Sequence, residues 1–356
     1  MNRDVRLSLE QSKRLTRVRA LGTGRDINIT LSDGELAKLL RVIVTDLERS
    51  DLFEGLPSLP EEANGDYYAI PLKWFETEAE HPDLVANYVR LAASLADFET
   101  YFECLCELHK RRRKYAVILS AQPLPTMVQV SPRSLMEYGG LRVDALASWL
   151  TWRKWFYDID NRAAQETGYL FEPILASSLG GTRASAGSSP IRRRSDQRKG
   201  RQVDCIVGKD AYEFKLRVTI AASGQGRFGE ELAFAEDCRA SGYRPVLLVL
   251  DPTPNPRLSD LKSAFERHGG VAFIGEAAWA HIREQAGPTM ATFVERYVHL
   301  PIAQIDHNSA TLLDLSISTS PSRRQFRLIF GSDVEWHIDR YELAALEAEV
   351  DDQPDE

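Results

Sequence analysis

Apolar positions recur every three or four residues through much of the first third of the chain. Ser32 and Glu35 form a capping-box pair ahead of Leu36, Leu39, Leu40, Ile43, Val44 and Leu47, which predicts an amphipathic helix. Residues 56–72, with Pro57, Pro60 and Pro71, read as a loop. The helical period returns from Asp83 to about His109. Residues 115–119 (YAVIL) read as a short strand, and Gln122 to Pro132 as a proline-punctuated loop. From Leu141 to about Ser178 the helical signals resume. Trp149, Trp152 and Trp155, spaced by three, are expected to pack into a core rather than offer a base-stacking platform.

The pattern then changes. Residues 180–200 are rich in Gly, Ser and Arg and should be mobile or ordered by a ligand. Val203–Val207 (VDCIV) and Ala211–Val218 (AYEFKLRV) flank Gly208, Lys209 and Asp210, a hairpin signal. A helix from about Gly229 to Ala240 leads to a buried-strand run, Val246–Leu250. A Pro-rich stretch, a helix near 258–268 and a short strand Val271–Ile274 follow. Residues 311–318 and 325–330 suggest a second hairpin, and the acidic tail 347–356 reads as disordered. No internal repeat is evident. The order predicts an α/β (α+β) architecture, a mixed sheet flanked by helices. Residues 1–140 form a mainly helical N-terminal region, 141–305 the core, and 306–356 a C-terminal hairpin with its tail.

Composition narrows the class. The chain has 356 residues, 43% hydrophobic and 27% charged, which suits a globular protein and excludes disorder throughout. No run approaches the length of a membrane span. Residues 1–20 are studded with charges and lack an apolar signal core, so a cytoplasmic location is expected. Cys104, Cys106, Cys205 and Cys238 have neither disulfide-framework nor zinc spacing, and read as reduced packing residues.

The net charge of −8 argues at first against a polyanionic partner. Its distribution argues the other way. Residues 181–201 contain Arg183, Arg192, Arg193, Arg194, Arg198, Lys199 and Arg201 against the single acid Asp196. Residues 110–114 are five consecutive bases. A local positive field is what double-stranded DNA responds to, although basic runs also occur as plain solvated loops.

The candidate chemistry lies on the first hairpin. Glu213 and Lys215 are two apart and share a strand face. An acid and a base inside a sheet cost several kcal/mol unless something compensates them. With a two-residue turn at Lys209–Asp210, Asp204 falls opposite Lys215 and diagonal to Glu213. A three-residue turn without a bulge would turn Asp204 to the other face. Two neighbouring carboxylates suit Mg²⁺, which keeps water ligands and engages a phosphate. Bound there, the metal can lower the pKa of a water, and an adjacent ammonium can orient it. Phosphodiester hydrolysis without a protein nucleophile is the reaction this set would serve.

The D-x8-E-x-K hairpin, preceded by a helix bearing a glutamate and followed by a helix and a buried strand, resembles the PD-(D/E)XK nucleases. The proline of their first element is replaced by Val203. The resemblance covers about residues 160–275. It implies that Asp204 and Glu213 bind metal, that Lys215 supports the attacking water, and that a helical glutamate adds a ligand, Glu172 first and Glu166 second. GGTR (180–183), RQVDCIVGKDAYEFKLRVT (201–219) and GQGRFGEEL (224–232) are further similar to the ApaLI-like type II restriction endonucleases. That likeness implies Mg²⁺-dependent cutting of both strands at a short palindromic site by a homodimer. Residues 1–140 would serve recognition or dimerisation. The apolar helical surfaces of 83–108 and 141–160 are the candidate interface.

Other readings are weaker. Gly224-Gln-Gly226-Arg-Phe-Gly229 matches a dinucleotide fingerprint, but the preceding strand carries Glu213, Lys215 and Arg217 where such a strand is apolar. A DNA-binding protein without catalysis leaves the Asp-Glu-Lys face unexplained, and a surface salt bridge leaves Asp204 to chance. Asp306-His307-Asn308 lacks the rest of an HNH site. No phosphate-binding loop of the ATPases occurs, so no nucleotide cofactor is expected. A repair or phage-defence nuclease with the same core is the main alternative.

Overall fold

The computed structural model describes residues 6–21, 27–77, 83–216, 225–308 and 312–341. The first helices are α1 (Leu9–Arg19) and α2 (Asp33–Asp46), with the two-residue strands β1 (Ala20–Leu21) and β2 (Ile29–Thr30) between them. Helix α2 starts as its sequence predicts: Ser32 accepts from the Glu35 amide while Glu35 accepts from the Ser32 amide. The proline-rich stretch that follows makes short 3₁₀ turns and one small helix, α3 (Leu72–Glu76). Helices α4 (Leu84–Ser94) and α5 (Phe98–Ala121) come next, then the four-residue α6 (Met127–Val130) and the 36-residue α7 (Val143–Ser178).

The YAVIL run is therefore not a strand but the end of α5. Its burial keeps a helical period, with Lys114, Ile118 and Leu119 buried and Ala116 exposed to a greater degree. The tryptophan expectation holds only in part. Each three-residue step falls about 60° short of a full helical turn, so Trp155 is buried, Trp152 half-buried and Trp149 exposed.

The second half alternates strands and helices. Strands β3 (Thr182–Ala184), β4 (Val203–Val207) and β5 (Asp210–Lys215) lead into α8 (Gln225–Ala240). Then come β6 (Arg244–Val249), α9 (Pro256–Arg267) and β7 (Val271–Ile274). Helix α10 (Glu276–Val294) is broken at Gly287 ahead of Pro288, and α11 (Leu300–Asn308) follows a short π turn. Three antiparallel strands close the described chain: β8 (Leu315–Thr319), β9 (Gln325–Phe330) and β10 (Val334–Asp339). The pattern predicted the first two of these and not the third. The acidic tail lies outside the described residues.

The chain packs as two units, each built from separated segments. The larger holds residues 1–18, 31–108 and 168–307. Its sheet runs β3-β4-β5-β6-β7, antiparallel across β3, β4 and β5 and parallel across β5, β6 and β7. This is the mixed sheet expected from the sequence. One face packs Ala211, Leu247 and Val249 against Phe234 and Cys238 of α8 and Leu261 and Phe265 of α9. In the same unit the apolar residues of 83–108, among them Tyr88, Leu91, Phe102 and Leu105, are buried. The helical surface of 83–108 is thus spent inside its own unit and is not a free interface.

The smaller unit holds residues 19–30, 109–167 and 308–356. Its core sets Trp155 among Phe326, Leu328 and Ile338 of the three-stranded sheet. The five bases of 110–114 also belong to it. Arg111 and Lys114 share Glu166 at 2.7 and 2.9 Å, and Lys110 and Arg113 donate to the carbonyls of Ala20 and Thr30. Among the described residues no helix is long and apolar enough to cross a membrane.

Candidate active site

Strands β4 and β5 are joined by Gly208 and Lys209, with Gly208 at a positive φ of 58° that a two-residue turn requires. Val207 pairs with Asp210, Ile206 with Ala211 and Cys205 with Tyr212. The turn thus lies one residue earlier than the Lys209–Asp210 turn anticipated from the sequence. Asp210 is a strand residue, with its carboxylate gripped by Arg244. The consequence is local. Continued by one pair, this register sets Asp204 opposite Glu213 rather than Lys215. Because the shift preserves a two-residue turn, all three side chains still share one face.

That face is the one covered by α8. Toward the start of β5 it carries Ala211, packed in the apolar core, and toward its end Glu213 and Lys215. Asp204 is buried, and its Oδ2 accepts from the Phe214 amide at 2.8 Å. The Lys215 ammonium meets Glu213 at 2.9 Å and Glu231 of α8 at 3.0 Å. The pattern of the sequence assigns Glu231 no role. Its one signal there is its place in the GQGRFGEEL stretch, on a helix that returns over the strand.

Burial, first, and then the charge of Glu213 push the Asp204 carboxyl well above the usual carboxylate range, against the pull of the Phe214 amide and Lys215. Burial alone would lower the Lys215 ammonium. Glu213 and Glu231 more than offset it, so Lys215 stays charged. Glu172, on α7, also sits high, by burial and by the negative charge of Glu213, although Arg183 opposes the shift. The structure therefore brings Asp204, Glu213, Lys215 and Glu172 into one electrostatic cluster. Glu172 points its carboxylate to Arg183 at 2.5 Å. Glu166, the second choice for a helical ligand, belongs to the smaller unit, where Arg111 and Lys114 hold it. It is not part of this cluster.

The set fits a hard divalent cation through two carboxylates. Facing acids in a buried strand pair are undercompensated, as the raised Asp204 carboxyl reports, and a cation would relieve them. Among the described residues no three of His, Cys, Asp or Glu stand close enough to share one ion. The remaining positions would go to water and a phosphate, as Mg²⁺ prefers.

The GGTR stretch supplies β3 and a close approach. A Cβ at Gly181 would lie 2.2 Å from the Cys205 sulfur, so only glycine lets this segment run against β4. The arginine-rich stretch beyond it is held down, not loose. Ile191 is buried, the Arg192 amide donates to Ser241, the Arg194 amide to Asp237, and the Arg193 amide to the Lys199 carbonyl across a turn. Several of its guanidinium groups are neutralised by α8. Arg193 pairs with Glu230 at 2.6 Å, Arg194 with Glu236, and Arg201 with Asp237 at 2.7 Å. Arg192, Arg198 and Lys199 are exposed and form no ion pair among the described residues. The charge count of 181–201 overstated the free positive field, because Glu230, Glu236 and Asp237 lie beyond it in sequence and against it in space.

Of the glycine fingerprint, Gly224 lies outside the described residues. Gly226 and Gly229 fall inside α8, not in a strand-to-helix turn.

A mixed sheet flanked by helices, with an acid-rich face beside a lysine, is the architecture in hand, and comparison with known proteins gives the class to which the chain belongs. The family model for the ApaLI-like restriction endonucleases matches residues 61–299, and the chain belongs to that family. It is a restriction endonuclease, a hydrolase acting on DNA. The chain is 52% identical over 315 residues to the type II restriction enzyme ApaLI of Acetobacter pasteurianus, covering 84% of this chain and 83% of that protein. No solved structure matches it.

Proposed function

We propose that this chain is a metal-dependent type II restriction endonuclease of the PD-(D/E)XK kind, cutting both strands of a short palindromic DNA site as a homodimer. Asp204 and Glu213 are its metal ligands, and the Lys215 ammonium positions the attacking water. The single observation that carries the reading is the placement of these three side chains on one partly buried strand face. Type II restriction endonucleases generally use divalent metal ions, and the all-oxygen donor pair favours Mg²⁺.

Bound at Asp204 and Glu213, the ion would supply a water of lowered pKa and a counter-charge for the phosphate. The protein's own part is positional. Lys215, kept charged between Glu213 and Glu231, donates to the attacking water or to the phosphate oxygen. Glu172 would be the additional carboxylate for the ion, were Arg183 to leave it for the DNA backbone. The backbone contacts come from Arg183, Arg192, Arg193, Arg194, Arg198 and Lys199, whereas Arg201, expected among them from the sequence, is buried against Asp237 and holds the fold. Arg192, Arg198 and Lys199 are the immediate contacts and the paired Arg183, Arg193 and Arg194 the ones that exchange partners. A palindrome read by a two-fold protein gives each strand its own active site.

The test is incubation with unmethylated plasmid DNA and Mg²⁺. Discrete fragments are expected, and their loss on adding EDTA. A smear, or nicking of one strand only, would move the chain to a repair or defence nuclease with the same core.

A further inference from the structure

Six of the nine large apolar side chains that are 60% or more exposed among the described residues fall between positions 128 and 157, all in the smaller unit. They are Val128, Leu135, Met136, Tyr138, Val143 and Tyr157. Local packing makes them one surface. Val130 forms a small core with Leu146 and Leu150 of α7, and Glu137 meets Arg153 at 2.5 Å, so the 127–143 segment lies along the first turns of that helix. At about 200 Å² for each fully exposed large side chain, the six present on the order of 900 Å² of mostly apolar surface. That exceeds the few hundred Å² of an ordinary monomer patch. It equals roughly the 800 Å² that each partner brings to a standard interface.

The charges on this face select the occupant. Arg153 is paired with Glu137, Lys154 with Asp158 and Arg142 with Asp144. A polyanion needs free cations, and on this face the cations apart from Arg133 are spent on its own acids. An identical face, neutralised internally except at Arg133, can approach it with little repulsion. The shape suits the same partner. A recess of about 410 Å³ lies between Val130, Arg133, Leu150, Arg153, Lys154 and Tyr157, and the exposed Leu135 and Met136 belong to the same short turn as its lining residue Arg133. A two-fold interface requires knob and hole on one surface.

We infer that the 128–157 face is the homodimer interface, a second copy of this chain seating its own 128–157 face there. This rests on the two-copy reading above; of the two surfaces expected from the sequence it drops 83–108 and retains the exposed part of 141–160.

The test is sedimentation velocity of the full chain at micromolar concentration, without DNA or metal. The wild type is expected as a dimer. Met136→Glu combined with Val128→Glu should sediment as a monomer, its dissociation constant raised at least about a hundredfold, with unchanged circular dichroism and melting. Ile305→Glu, also largely exposed but in the larger unit, should remain dimeric. A monomeric wild type, or a charged variant that stays dimeric, overturns the inference. Cleavage of plasmid DNA is assayed separately, so a monomer that still cuts leaves the nuclease reading standing and removes only this one.

Discussion

The carboxylate of Glu231 lies 3.0 Å from the ammonium of Lys215, the same nitrogen that Glu213 holds at 2.9 Å. Glu213 is also a proposed metal ligand, so an ion drawing on its carboxylate would weaken its hold on Lys215. Glu231 then becomes the group that keeps the ammonium in place. Glu231→Ala should lower single-turnover cleavage about 10- to 100-fold, or about 1.4 to 2.8 kcal/mol of barrier, with DNA affinity unchanged. Glu231→Gln, which retains an acceptor at the same reach, should recover most of the rate. Equal rates for wild type and the Ala variant would show that Lys215 is positioned without it.

Asp204 and Glu213 face each other across β4 and β5, and each should be indispensable. Asp204→Ala or Glu213→Ala should abolish cleavage in Mg²⁺ while binding to the target duplex in Ca²⁺ persists. Isothermal titration of the free protein with Mn²⁺ should lose its heat in both variants and keep it in Lys215→Ala. A carboxylate variant cutting within about tenfold of wild type, some 1.4 kcal/mol, removes that residue from the site.

The site residues were legible because the hairpin announces itself. Val203–Val207 and the run from Ala211 alternate around a glycine turn, and Glu213 and Lys215 stand out as charges in a buried strand. The turn itself was not legible, since Gly208-Lys209 and Lys209-Asp210 are both acceptable turn pairs and only the sheet decides between them. Asp210 is drawn into the strand by Arg244 of β6, a partner 34 residues away. Long-range pairing also hid the fate of the arginines. Glu230, Glu236 and Asp237 are ordinary helix residues until α8 packs beside 191–201. YAVIL failed for a different reason, because a five-residue apolar run has no period of its own and its helix is set by the residues before it.

The raised carboxyl of Asp204 fixes the sign of a pH effect. In the unfolded chain it titrates near the ordinary value of about 3.9, and in the fold, by burial and the charge of Glu213, it titrates well above it. Between those two values the folded state holds a proton that the unfolded state has released. Stability from this group is full below the lower value and falls as pH rises toward the upper one. Glu172 adds in the same direction. Asp204→Asn, which can still accept from the Phe214 amide, should therefore melt above wild type at neutral pH without divalent ions. The gap should close below about pH 4. Scanning fluorimetry across pH in EDTA measures it, and a gap independent of pH would mean the gain comes from packing.

The arginine-rich segment separates into two kinds of residue, and substitutions should separate them too. Arg201 is buried against Asp237, so Arg201→Ala leaves an acid without its counter-charge and should cost about 3 kcal/mol of stability, read by urea unfolding. Arg192, Arg198 and Lys199 are exposed and form no ion pair among the described residues. Replacing all three by Ala should leave unfolding unchanged and weaken binding of the target duplex. The slope of log affinity against log salt should fall in magnitude by about two to three, close to one for each phosphate that is no longer neutralised. Arg193→Ala, whose partner Glu230 is itself half-exposed, should change the slope by less than any one of those three. If the triple variant keeps the wild-type slope, the DNA backbone runs elsewhere, and the exposed cations of 181–201 are a solvated loop.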